Sequence, residues 1–107
     1  MTEALLQRAA MLFDANQLTA AEAQCRQLLA QRPGDVGALG LLGAILHAQE
    51  RYADAERVFA DLTKKVPGEG AYWMNLGTAR RGSGKYDDAL RDYMRAAELG
   101  CNDADFY

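Results

Sequence analysis

The sequence predicts an all-α fold, a right-handed α-solenoid of three helix-turn-helix repeats. The first observation behind this is self-similarity at a spacing of 34 residues. Leu5, Leu39 and Trp73 recur at that interval, as do Ala9, Gly43 and Gly77; Leu18, Tyr52 and Tyr86; Ala21, Ala55 and Ala89; Cys25, Phe59 and Tyr93; and Pro33, Pro67 and Cys101. The second is that nothing in the chain alternates as a half-buried strand would, while apolar residues keep the helical spacing of three and four. A helix pair cannot bury its apolar face alone, so a periodic helical sequence buries it by stacking one pair on the next.

Taken in order, the expected helices cover residues 3–15, 20–32, 36–49, 53–66, 70–83 and 87–99, with a seventh beginning near 104. Thr19 and Glu22 have the spacing of a capping box that would open the second helix. Pro33 and Pro67 end the second and fourth helices, since proline removes a donor and clashes with the preceding turn. Asp35, after Pro33-Gly34, is an N-cap for the third helix, and Asp103 stands in the matching place after the sixth. Asp87-Asp88 belong in a first turn, opposite the positive end of the helix dipole. The small residues Ala9, Gly43 and Gly77, and Ala21, Ala55 and Ala89, mark helix crossings, with Leu39, Leu42, Leu46 and Phe59 filling the flanks. One domain over 1–107 results, with repeats at about 2–35, 36–69 and 70–103. Residues 104–107 then start a truncated fourth repeat or capping helix, so the chain is expected to be a piece of a longer one.

Composition narrows the function. Twelve Lys and Arg stand against 15 Asp and Glu in 107 residues, a net charge of −3, and half the chain is hydrophobic. That is a folded chain, and its slight acidity argues against a nucleic-acid partner. No apolar run reaches membrane-spanning length, and Met1-Thr2-Glu3 has an acid where a secretory signal carries positive charge, so a cytoplasmic location with no membrane partner is expected.

Leu39-x-x-Leu42-Gly43-x-x-Leu46, Ala55-x-x-x-Phe59 and Pro67 resemble the tetratricopeptide repeat, and Trp73-x-x-Leu76-Gly77 with Gly84-Lys85-Tyr86-Asp87-Asp88-Ala89-Leu90 is closer still. The copies depart from it at Arg8, at Arg80, whose stem is expected to pack while its guanidinium reaches water, and at Cys101. The resemblance implies a concave groove lined by the first helix of each pair. Its positions fall on Glu3, Leu6, Gln7, Ala10, Phe13 and Asp14; on Gly37, Gly40, Leu41, Ala44, His47 and Ala48; and on Ala71, Met74, Asn75, Thr78, Arg81 and Gly82. Gly37, Gly40, Ala44 and Ala48 strip the middle of bulk, Leu6, Phe13, Leu41 and Met74 make apolar walls, and His47, Asn75, Thr78 and Arg81 supply polar selectivity. Such a surface suits an apolar ridge of a peptide or amphipathic helix. Some family members clamp a terminal carboxylate through cations. The corresponding places here hold Leu6, Ala10, Leu41 and Ala71, with only Asn75 of a suitable type, so that chemistry is not expected.

No catalytic, metal or cofactor site emerges. His47 is the only histidine and has no ligand partners nearby in sequence. Cys25 and Cys101 are two repeats apart, beyond disulfide reach, and Cys25 shares its register with Phe59 and Tyr93, which makes it a core residue. Trp73 shares that of Leu5 and Leu39 and packs likewise. Gly82-Ser83-Gly84-Lys85 lacks the spacing of a phosphate loop and follows a helix, so it reads as a turn. The expected function is therefore a non-catalytic binding module for a segment of another protein or of the same chain. The alternatives are the N-terminal arm of a larger bacterial transferase, sulfotransferase-like or glycosyltransferase-like, and a scaffold that self-associates through a C-terminal end of Leu90, Met94, Ala97, Phe106 and Tyr107.

Overall fold

A computed structural model describes residues 2–101. Among the described residues six helices follow one another without a strand: α1 (Thr2–Asp14), α2 (Leu18–Gln31), α3 (Val36–Ala48), α4 (Tyr52–Lys65), α5 (Gly70–Gly82) and α6 (Tyr86–Glu98). These bounds lie within two residues of those read from the sequence. Each helix packs on its neighbours in the chain, and α1 also reaches α3, so three helix pairs stack into an α-solenoid. The expected seventh helix, its cap Asp103, and Phe106 and Tyr107 lie outside the described residues.

The turn inside each pair is built identically. Gln17 N–H donates to Leu12 O at 2.8 Å, Arg51 to Leu46 O at 2.9 Å and Lys85 to Arg80 O at 2.8 Å, which closes the last turn of each first helix. The residue before each donor is left-handed: Asn16 at φ 61°, Glu50 at 61° and Gly84 at 81°. This is the Schellman stop, and it launches the second helix with no side-chain cap on Gln17, Arg51 or Lys85. The expected Thr19–Glu22 capping box is therefore not formed. Leu18 already begins α2, so Thr19 is inside the helix, and the Glu22 carboxylate faces Arg26, Gln49 and Arg51 instead.

Turns between pairs use caps. Asp35 Oδ1 accepts from Ala38 N–H at 2.9 Å, as expected, and Glu69 repeats the role on Ala71 N–H at 3.4 Å with a longer side chain. Pro33 and Pro67 each sit two residues past a helix end. Asp87 and Asp88 occupy the first turn of α6.

The core runs along the stack through Ala9, Ala21, Cys25, Leu42, Ile45, Leu46, Ala55, Phe59, Leu62, Leu76 and Ala79. Its crossings explain the small residues. A Cβ on Gly43 would lie 2.6 Å from the Phe59 ring, and one on Gly77 2.9 Å from Tyr93 and 3.1 Å from Ala89 O. The first pair uses the other solution, Ala9 with the smaller Cys25 in the ring register. Trp73 packs partly against the core and donates its indole N–H to Pro67 O at 3.0 Å, which fixes the approach to α5.

Candidate functional site

The first helices α1, α3 and α5 bring part of the sequence-read groove together. Phe13, Ala44, His47, Ala48, Asn75 and Thr78 line a cleft of about 250 Å³, and Phe59 from α4 shows at its floor. Its apolar walls come from Phe13, Ala44, Ala48 and Phe59, and its polar groups from His47, Asn75 and Thr78. Thr78 is held in place: its hydroxyl lies 3.0 Å from Met74 O and 3.1 Å from the Tyr93 hydroxyl. The His47 ring meets Tyr52 edge-on with centroids 5.1 Å apart, so a second-helix aromatic fixes the imidazole at the rim.

Other groove residues have different duties. Leu6 fills the space that Gly37 leaves, its Cδ2 lying 3.2 Å from where a Cβ on Gly37 would be, so that end of the groove is closed by packing between α1 and α3. Gly40 leaves more room, the nearest ring atom being Tyr72 Cε1 at 3.9 Å. At Gly82, another position of the family mapping, a Cβ would sit 2.5 Å from the Tyr52 ring, so its missing side chain admits that ring. Leu41 packs partly against the core, Ala10 and Met74 are half-buried, and Arg81 is exposed. Sequence reasoning missed Tyr52, Phe59 and Tyr93 as groove neighbours, because all three are on second helices. Their common signal was a large aromatic in register with small residues 16 positions earlier or 30 later, as in Gly43 with Phe59 and Tyr52 with Gly82.

The junctions between pairs are polar at the outer edge. Glu22 takes Arg51 Nη1 at 2.9 Å and Gln49 Nε2 at 3.3 Å, and Glu56 takes Lys85 Nζ at 3.1 Å and Arg80 Nε at 3.3 Å. Partial burial pushes the Glu22 carboxyl up, but hydrogen bonds from Arg26, Arg51 and Gln49 outweigh it and hold the group below its ordinary value. Arg80 corrects an expectation. Its guanidinium does not reach for water; Nη1 sits 3.0 Å from both oxygens of Asp92, a carboxylate only 4% exposed. Desolvation pushes Asp92 up more than Arg80 pulls it down. Desolvation also works against the Arg80 charge, but Asp92 and Glu56 together hold that charge on. At this departure from the repeat resemblance, an ion-pair network of Arg80 with Glu56 and Asp92 bridges α4, α5 and α6.

Cys25 is 1% exposed, and burial pushes its thiol up to about 11, which leaves it protonated and unreactive at neutral pH. No disulfide joins Cys25 and Cys101. Among the described residues no three His, Cys, Asp or Glu side chains group as metal ligands, and no helix is long and apolar enough to cross a membrane.

Comparison with known proteins places this geometry. A model of the tetratricopeptide repeat family matches residues 12–77. Among solved structures, MamA from Desulfovibrio magneticus RS-1 superposes with a TM-score of 0.88 at 22% identity, over 94% of this chain and 56% of its own. The Sgt2 tetratricopeptide repeat domain from Aspergillus fumigatus gives 0.90 at 21% identity, over 97% of this chain and 71% of its own. The type III secretion translocator chaperone SycD from Yersinia enterocolitica gives 0.88 at 19% identity, over 98% and 80%. The chain thus spans little more than half of the MamA structure it matches. With the family match running from the end of α1 into α5, and the small-residue crossings and Schellman turns recurring in each pair, the chain belongs to the tetratricopeptide repeat family.

Proposed function

We propose that the three repeats act as one non-catalytic interaction module, which takes a peptide or helix of another protein into the groove of α1, α3 and α5. The observation that carries this is the cleft of about 250 Å³, which draws Phe13 from the first repeat, Ala44, His47 and Ala48 from the second and Asn75 and Thr78 from the third. An apolar floor with a few placed polar groups is the character of a recognition site for one large side chain, with Ala10, Leu41 and Met74 continuing the surface on either side. Likeness in fold to a translocator chaperone supports a protein as the occupant.

The test is selection of displayed peptides on the immobilised chain, followed by affinity measurement of the enriched sequence. Ala44→Glu puts a charge in the cleft and should weaken binding roughly tenfold or more, whereas Ala53→Glu, on the exposed side of α4, should leave it unchanged. Equal affinity for Ala44→Glu and the parent chain, with helical circular dichroism intact, rules out the groove as the binding surface.

A further inference from the structure

The junction between the first and second pairs carries a charged recess that the groove does not use. Arg26 of α2, with Arg51, Asp54 and Arg57 at the start of α4, lines a space of about 240 Å³, together with the buried Leu46 and the half-buried Val58. No residue of this recess lines the cleft of α1, α3 and α5. The Glu22 carboxylate accepts from Arg26 Nε and Arg51 Nη1, each at 2.9 Å, and Asp54 accepts from Arg51 Nε at 3.3 Å and from Arg57 Nη2. Three guanidiniums thus share two carboxylates, which leaves one positive charge in surplus.

Donors are also left over. A guanidinium carries more N–H groups than these contacts use. Among the described residues, both terminal nitrogens of Arg26, Nη2 of Arg51 and Nη1 of Arg57 meet no acceptor. All three side chains are exposed, so a ligand can reach them without displacing a packed group. The repeat does not require this cluster. At the next junction Ala60 stands in the register of Arg26, and Lys85, in that of Arg51, reaches Glu56. The glutamate latch forms there with no cation in the Arg26 register, so alignment of the pairs accounts for Glu22 and Arg51 but does not call for Arg26.

We propose that this recess binds a phosphate monoester. The surplus charge attracts an anion, and guanidinium forks hold oxyanions through paired, charge-assisted hydrogen bonds. A phosphate monoester brings about two negative charges and three acceptor oxygens, enough to engage the unspent donors of all three arginines. A carboxylate would only duplicate what Glu22 and Asp54 already supply to the same guanidiniums.

Titration of the isotope-labelled chain with phenyl phosphate, read in its amide and arginine Nε–H resonances, tests this. Saturable shifts should appear at Arg26, Arg51, Asp54 and Arg57 and be absent at Arg91, and sodium chloride at the same ionic strength should not reproduce them. Arg26→Gln and Arg57→Gln should each weaken phenyl phosphate by about tenfold with helical circular dichroism unchanged, while Arg91→Gln leaves the affinity as it was. Two further arms separate the sources of the phosphoryl group, and either result supports the site. Inorganic phosphate that binds as tightly as a phosphoserine peptide marks a free anion as the ligand; a peptide that binds more tightly than inorganic phosphate and than its own serine form marks a phosphorylated protein. The proposal is overturned by an absence of saturable shifts, by shifts that chloride reproduces, or by an affinity that survives both Arg26→Gln and Arg57→Gln.

Discussion

Glu50 holds φ at 61° in the register where Gly84 holds 81° and Asn16 61°. Only glycine enters this region without a steric penalty from its Cβ, and asparagine is the best tolerated of the others, so Glu50 is the strained member of the set. Glu50→Gly should raise stability by about 1 kcal/mol in urea denaturation, and Gly84→Ala should lower it by a similar amount. Asp92 shows a different residue-level conflict. Its folded carboxyl titrates above 3.8, so the fold holds that proton more tightly than the unfolded chain does, and stability from this group falls as pH rises from 3.8 through the folded value. Asp92→Asn carries no such loss. Its disadvantage against the parent chain should therefore be largest in acid and shrink toward neutrality in denaturation curves at several pH values. Arg80→Met, by contrast, leaves the buried Asp92 charge without its partner and should cost about 3 kcal/mol at pH 7.

Between helices, the deciding quantity is the space at the crossings. A methyl at Gly43 would lie 2.6 Å from the Phe59 ring, and that ring is 3% exposed in a dense core with little room to yield. Gly43→Ala should therefore destabilise by about 1–3 kcal/mol despite the better helix propensity of alanine. Shrinking the opposing ring with Phe59→Leu should recover part of that loss, as a non-additive term in the double-mutant cycle. The rationale is present in the protein itself, since α1 and α2 already pair Ala9 with Cys25 in these registers. The two Glu latches, Glu22 to Arg51 and Glu56 to Lys85, repeat the same spacing across successive junctions and align each pair on the next. With partners half exposed, each belongs to the class of surface ion pairs that set geometry more than stability.

For the whole molecule, the stack makes stability depend on position. The pair α3–α4 packs on α2 and α5, whereas Met11 of α1 and Leu90 and Met94 of α6 are exposed among the described residues. In a linear array each pair is held by its own packing and by its neighbours, so opening starts at the ends. Amide hydrogen exchange should be slowest in α3 and α4, and fastest in the first turns of α1 and the last of α6; uniform protection across all six helices would contradict it.

The 34-residue period, the helix bounds, the Asp35 cap, the proline stops and the glycine crossings were legible in the sequence, because each is a local or strictly periodic effect. A helix start depends on the few residues around it, and a crossing recurs wherever the register does. The same logic misled at Thr19–Glu22 and at Arg80. There the outcome hung on partners far along the chain: Arg51 and Gln49 for Glu22, Asp92 and Glu56 for Arg80. In the groove, the family resemblance assigned the lining to α1, α3 and α5, but which of their side chains converge was not legible in the sequence. Tertiary packing turned Leu6 into the space beside Gly37, placed Tyr52 over Gly82, and left Phe13, Ala44, His47, Asn75 and Thr78 around an open cleft. Periodicity sets which face of a helix a residue occupies, but whether that face is filled or open is decided by the side chains of the other helices, which only the folded stack brings together.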